Sequence, residues 1–207
     1  MDVKLYEHGT NWLIEAQLPE DLLNELDNEV NGHLDDFLSD KENYTCKGDS
    51  VLQYWLQKQG TNYIQSDSLV SAVSDYGKFM SEICSKVGVF DPSFLSHLRP
   101  YGIWTVRGDE GSFHKMHQHN AKGSVLGLAT VSYLNVPSTN DDDQPNNNVY
   151  FVMNSSENTV FSTNIPNVVE VSPRRGQMFI FPNWLLHGTY PQSAGLRQTF
   201  NVDYLAI

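Results

Sequence analysis

From Pro100 to its C-terminus this chain is a succession of short apolar segments broken by turn residues, and few architectures accept that pattern. Segments 103–106, 124–136, 149–153, 168–171, 177–181 and 197–205 are rich in β-branched and aromatic residues, and Gly, Pro, Asn and Asp separate them. Each reads as a strand. The hundred residues ahead of them differ. Apolar side chains recur at Leu22, Leu23, Leu26, Val30, Leu34, Phe37 and Leu38, which predicts a helix over 19–38 with Pro19 in its first turn. A second helix is predicted over 67–87, capped by Ser66 or Asp67 and ended by Gly88. The polar stretch 41–60 carries no assignable period.

Two helices followed by many short strands predict a mainly β chain: a jelly roll, or double-stranded β-helix of the cupin-like kind, with N-terminal helices packed outside. The expected division is a helical extension over 1–99 and a barrel core over 100–207, together one structural domain, which suits 207 residues. The polar segment 138–148 is expected as a loop near the barrel mouth, placed to act as a lid.

Composition narrows the function classes. A net charge of −12 with thirteen scattered basic residues argues against nucleic acid, because phosphate contacts need clustered Lys and Arg. No apolar run approaches the roughly 20 residues that span a bilayer, and the first twelve residues lack a signal-peptide pattern. Cys46 and Cys84 form neither a metal spacing nor a disulfide framework, so the expected compartment is the reducing cytoplasm.

Three of the seven histidines fall in Ser112-Phe113-His114-Lys115-Met116-His117-Gln118-His119. In an extended strand His117 and His119 project to one side, about 6–7 Å apart, and can converge on one ion. Imidazole suits iron, zinc, copper and nickel alike, so the pair does not choose the metal. Downstream, a fully apolar segment and a turn lead to His187, and Arg197 follows ten residues on. Along that last strand Arg197, Thr199 and Asn201 share one face, while Phe200, Val202 and Tyr204 share the other. An inward cation with hydrogen-bonding neighbours is costly to bury without an anionic ligand, and a small dicarboxylate satisfies it.

These elements resemble the 2-oxoglutarate/Fe(II)-dependent oxygenases, in a prolyl-hydroxylase-like branch that includes many phage and marine bacterial members. The resemblance rests on Trp104 with Arg107-Gly108-Asp109, His117-Gln118-His119, Ser132-Tyr133-Leu134-Asn135-Val136-Pro137, Pro173 to Gly176, and Phe181-Pro182-Asn183-Trp184-Leu185-Leu186-His187 running on to Arg197-Gln198-Thr199-Phe200-Asn201. It implies that His117 and His187 hold iron(II), and that Arg197, assisted by Thr199, grips the distal carboxylate of 2-oxoglutarate. Dioxygen is the further co-substrate. The implied activity is hydroxylation of an unactivated C–H bond in an amino acid or peptidyl, prolyl-like substrate, with succinate and carbon dioxide as by-products. The competing reading is a cupin-type metal protein without oxygenase activity, an isomerase or small-ligand sensor. For a phage-encoded chain, the cytoplasm in question is the host's. Oligomeric state stays open.

One position departs from the superfamily, whose sites mostly combine two histidines with a carboxylate. That third position holds His119. His119 ligates directly, or a water takes its place, or a carboxylate arrives from elsewhere, with Asp109 and Glu110 nearest in sequence. Strand parity favours ligation by His119. Three neutral imidazoles leave the ion at +2, which a dianionic co-substrate balances, and protonation of imidazoles toward pH 6 is expected to weaken the metal. His114 has the wrong parity and reads as a surface residue or one behind the ligands. Trp104, Tyr133 and Asn201 are candidates to line the pocket, Tyr133 and Asn201 against the co-substrate. Trp184 reads as packing for the turn before His187, and His8, His33 and His97 as background.

Overall fold

The computed structural model describes residues 2–39, 51–57, 66–119, 127–137, 148–153, 168–193 and 195–206. In chain order the elements are β1 (Lys4–His8), β2 (Asn11–Gln17), α1 (Glu20–Gly32), α2 (Leu34–Ser39), β3 (Leu52–Gln57), α3 (Asp67–Val87), α4 (Pro92–Ser96), β4 (Leu98–Gly108), β5 (Gly127–Asn135), β6 (Val149–Val152), β7 (Val168–Val171), β8 (Gln177–Pro182), β9 (His187–Thr189) and β10 (Arg197–Ala206). The strands form a seven-stranded sheet, ordered β1-β2-β8-β5-β10-β4-β3, and a three-stranded sheet, ordered β7-β6-β9. Pairings between these strands are antiparallel. The expected jelly roll with helices outside is what forms.

Strand alternation builds the layers. In β8, Phe179 and Phe181 join Phe151 of the small sheet, with Leu13, Ala129 and Tyr133, in a core between the two sheets. Met178 and Ile180 point the other way and meet the helices, together with Phe200, Val202 and Tyr204 of β10. Each large apolar side chain so removed from water contributes about 1.5–3 kcal/mol. Helix α3 is held to the large sheet by Leu69, Val73, Tyr76, Phe79, Met80 and Ile83 along one stripe. The Tyr76 hydroxyl lies 2.8 Å from that of Ser132 on β5, which fixes the docking polarity of an otherwise apolar face. Its ends are as the sequence predicts: the Ser66 hydroxyl accepts from the Leu69 amide, and Gly88 closes the helix at φ 74°.

The first hundred residues, expected to be helical, also supply β1, β2 and β3 to the large sheet. Two effects hid them. Residues 12–16 of β2 are buried on both faces, so they show no polar alternation. The β1–β2 turn is only Gly9 and Thr10, with Gly9 at φ 60°, a positive value that β-branched and bulky residues avoid. The helix predicted over 19–38 is two helices, because Gly32 ends α1 and His33 leaves helical geometry at φ −103°, ψ 4°. Segment 138–148, expected as a lid, lies outside the described residues apart from Asn148. No helix among the described residues is long and apolar enough to cross a membrane.

Candidate metal centre

The mouth of the barrel gathers what the sequence holds far apart. His187 opens β9 after a tight turn in which the Leu185 amide donates to the Pro182 carbonyl at 2.9 Å. Residues 113–119, whose histidines are read by the parity of an extended strand, lie beside that turn and join it through an isolated bridge. His117 and His187 exchange both backbone hydrogen bonds (2.9 and 3.0 Å), and the His119 amide donates to Asn183. Away from the bridge the pairing is irregular: the Thr189 amide donates to the His114 carbonyl and the Gln192 amide to the Ser112 carbonyl, each at 2.9 Å. The parity argument nevertheless survives: one ring nitrogen from each of His117, His119 and His187 lies within 4.8 Å of the others.

Hydrogen bonds select the tautomers. His117 Nδ1 lies 2.8 Å from the Lys115 carbonyl, and His187 Nδ1 lies 2.9 Å from the Leu185 carbonyl. A carbonyl only accepts, so both Nδ1 atoms carry the proton and each lone pair sits on Nε2. His119 Nδ1 is 2.6 Å from Asp203 Oδ1, with both side chains almost buried. All three rings are thus arranged as metal-ligating histidines are, with Nδ1–H held by an outer acceptor.

Asp203 escaped the sequence reading, although its signal was present. It continues the alternation Arg197, Thr199, Asn201 by one more step. Asp109 and Glu110, the carboxylates nearest in sequence, are exposed and absent from the cavity lining. His114 is closer to the site than its parity implied: its ring stacks on His117 at 4.0 Å and lines the cavity. Trp104 and Tyr133 are both core and cavity wall. Trp184 is partly exposed, and its indole N–H donates to Asn11.

The same cavity is lined by Tyr133, Arg197, Thr199 and Asn201. Arg197 is 4% exposed; its Nη2 donates to Thr189 at 2.8 Å, while Nη1 is buried with no hydrogen-bond partner among the described residues. Burial lowers its pKa from the ordinary 12.5, and no carboxylate pairs with it among the described residues. A buried cation left this way costs several kcal/mol, and a carboxylate ligand is what offsets it. Tyr133 is pushed up to about 12 by burial, opposed by the charge of Arg197, so it is a neutral hydroxyl at physiological pH. The Thr199 hydroxyl and the Asn201 amide are bonded to each other, and Asn201 also donates to the Trp104 carbonyl. Three convergent imidazoles beside an unneutralised guanidinium fit an ion together with a dicarboxylate that bridges from it.

Burial, reinforced by His119 and His117, holds His187 well below its ordinary 6.5, and burial with the charges of its neighbours takes His114 down to about 3. Both bind more protons in the unfolded chain than in the folded one below pH 6.5. Stability of the metal-free protein is therefore fully present above about pH 6.5 and is lost as pH falls through it, by up to about 1.4 kcal/mol per pH unit per group. Urea melts at pH 7.5 and 5.5 check this. The midpoint is expected to be lower at pH 5.5, and equal midpoints contradict it.

Residues 102–203 match the model of a family described as "Putative 2OG-Fe(II) oxygenase". Among solved structures, a Pseudomonas putida prolyl-4-hydroxylase aligns at 15% identity and TM-score 0.59, over 94% of this chain and 92% of that one. A Trichoplax adhaerens prolyl hydroxylase in complex with a hypoxia inducible factor peptide aligns at 14% identity and TM-score 0.60, over 94% and 83%. HygX from Streptomyces hygroscopicus, with nickel and 2-oxoglutarate bound, aligns at 12% identity and TM-score 0.55, over 95% and 83%. Identities this low speak for a shared fold alone. No curated protein matches the chain in sequence. The family match spans β4 to β10 and takes in all three histidines, Arg197 and Asp203. The barrel, over residues 102–203 and so just under half of the chain, is thus matched to the 2-oxoglutarate/Fe(II)-dependent oxygenases, a family that uses Fe(II), 2-oxoglutarate and dioxygen, and its three convergent histidines fit such an ion.

Proposed function

We propose that this oxygenase is a hydroxylase: it inserts one oxygen atom into an unactivated C–H bond of an amino acid or peptidyl substrate, and 2-oxoglutarate leaves as succinate and carbon dioxide. The observation that carries the reading is the pairing of three convergent imidazoles with the buried, unneutralised Nη1 of Arg197 in one cavity. His117, His119 and His187 hold the iron. Arg197 takes the far carboxylate of the co-substrate, and Tyr133 adds a neutral hydroxyl donor beside it. Thr199 and Asn201, tied to each other, form the polar wall against which that carboxylate lies. When bound, the iron supplies the oxidising chemistry. The chain's part is to orient the substrate C–H bond and exclude water from the reacting centre.

A second cleft shares His117, His119 and Trp104 with the first and is bordered further by Gln53, Trp55 and Gln118. We assign substrate entry to it. The Trp55 and Trp104 rings lie 5.1 Å apart, tilted by 45°, an apolar wall suited to a cyclic or aliphatic side chain. The flanking glutamines offer amide donors and acceptors to a peptide group. No Lys or Arg among the described residues borders the cleft, and with the net charge of −12 this favours neutral or cationic substrates. The setting is a reducing cytoplasm, in keeping with Cys84, a buried free thiol.

Two measurements test the reading. Under anaerobic conditions, adding 2-oxoglutarate to the Fe(II)-loaded protein is expected to produce a weak visible charge-transfer band. Its absence removes the oxygenase reading in favour of a metal-binding barrel of another kind. Succinate release is then measured with free amino acids and Pro-containing peptides, and stimulation by a member of that panel is expected. A panel without effect rejects the substrate class while leaving the band intact.

A further inference from the structure

The site lacks the ligating carboxylate that most of its superfamily carries, yet a carboxylate stands one imidazole away from where the ion would lie. Asp203 Oδ1 accepts the Nδ1 proton of His119 at 2.6 Å, with the two side chains only 6% and 7% exposed. Its neighbours in the sheet make the space. Asp203 pairs with Gly102 of β4 and Ala129 of β5, two small residues that leave its level of the barrel open to the imidazole. Trp104 and Phe181 then hold the ring from two sides, with centroids 5.3 and 6.0 Å away. His119 is thus clamped in one orientation and one tautomer. His117 and His187 differ in this respect, since their Nδ1 protons go to neutral backbone carbonyls.

We infer that Asp203 is a positioning residue that takes over the role of the missing carboxylate ligand, acting through His119. The inference rests on His119 ligating the metal. Three neutral imidazoles alone would leave the ion at +2. A buried carboxylate bonded to one of them supplies a negative charge at one remove and makes that imidazole a stronger donor. The site then combines the donor set of a three-histidine centre with the net charge of a two-histidine, one-carboxylate centre.

The test is a double-mutant cycle read by Co(II) affinity, measured by competition against a chelator with no co-substrate present, together with the Co(II) ligand-field spectrum and the thermal stability of the metal-free protein. Asp203→Asn keeps the shape and an acceptor oxygen but removes the charge. It is expected to weaken Co(II) by about 10- to 100-fold and to shift the spectrum. In a His119→Ala background the same replacement is expected to change affinity by less than about twofold, because Asp203 has lost the ring through which it acts. Asp203→Asn binding as tightly as the parent overturns the inference while leaving His119 as a ligand. An equal loss in both backgrounds also overturns it, because it marks a structural role. His119→Ala with unchanged affinity removes His119 from the metal and the inference with it.

Discussion

Replacing His187 with alanine is expected to abolish measurable metal binding while the protein remains folded. Two sets of contacts separate these outcomes. The backbone of His187 carries the reciprocal hydrogen bonds to His117 that hold residues 113–119 against β9, and alanine keeps both. The imidazole, by contrast, is the one ring of the three rooted in the small sheet, packed against Phe181 at 4.6 Å and Phe151 at 5.9 Å. Its removal leaves two histidines on one segment, with no donor fixed opposite them. The loss should exceed the about 10- to 100-fold seen when an outer partner of a ligand is removed. The cavity left beside Phe151 and Phe181 costs some packing energy. Below about pH 6.5 that cost is partly offset, because a buried neutral imidazole is no longer required of the fold. Co(II) titration and a thermal melt of the same sample measure both outcomes. Retention of affinity within about threefold of the parent would show that the ion sits elsewhere.

Arg197→Met should have the second largest effect, and a two-sided one. In the metal-loaded parent, 2-oxoglutarate at 100 times its dissociation constant adds about 2.7 kcal/mol of stability. Without the guanidinium that increment should fall below about 1 kcal/mol, because truncating one partner of a buried charge pair typically costs 2–5 kcal/mol, or roughly 30- to several thousand-fold in affinity. The metal-free protein should melt no lower than the parent. Arg197 is 96% buried, since 4% is exposed, and its Nη1 lacks a partner among the described residues, so the parent carries a desolvation cost that methionine avoids. Arg197→Lys is expected to rescue little. An ammonium cannot reproduce both the bond to Thr189 and a forked grip on a carboxylate. Thermal shifts with and without 2-oxoglutarate decide the matter, and an unchanged shift in Arg197→Met would place the co-substrate away from this residue.

How far the fold and the site could be read in advance depended on whether the relevant pattern was local. Helix α3 is legible because its stripe, cap and terminal glycine all lie within its own residues. Strands β4 to β8 and β10 are legible because turn residues bracket each apolar segment, whereas the three residues of β9 carry too short a pattern to be read. Strand β2 is hidden because both its faces are covered, by helices on one side and the small sheet on the other, and burial on two faces erases the alternation that marks a strand. The break at His33 depends on two residues in an otherwise periodic stretch.

The site divides along the same line. The amino-acid sequence by itself determined that His117 and His119 share a side, and that Arg197, Thr199 and Asn201 share another, since period-two alternation is a property of any extended chain. Applied one step further, it also placed Asp203 on that inner face. Only the tertiary structure decided which of these meet. Bringing His187 to His117 requires the turn after β8 to fold back onto residues 113–119, and bringing Asp203 to His119 requires strand β10 to pass between β4 and β5 with Gly102 and Ala129 flanking it. Contacts between residues 70 or 84 positions apart are set by strand order and register, which arise from the packing of all the strands together. The histidine in the carboxylate's place was visible from the start; the carboxylate standing behind it became visible only once the barrel closed.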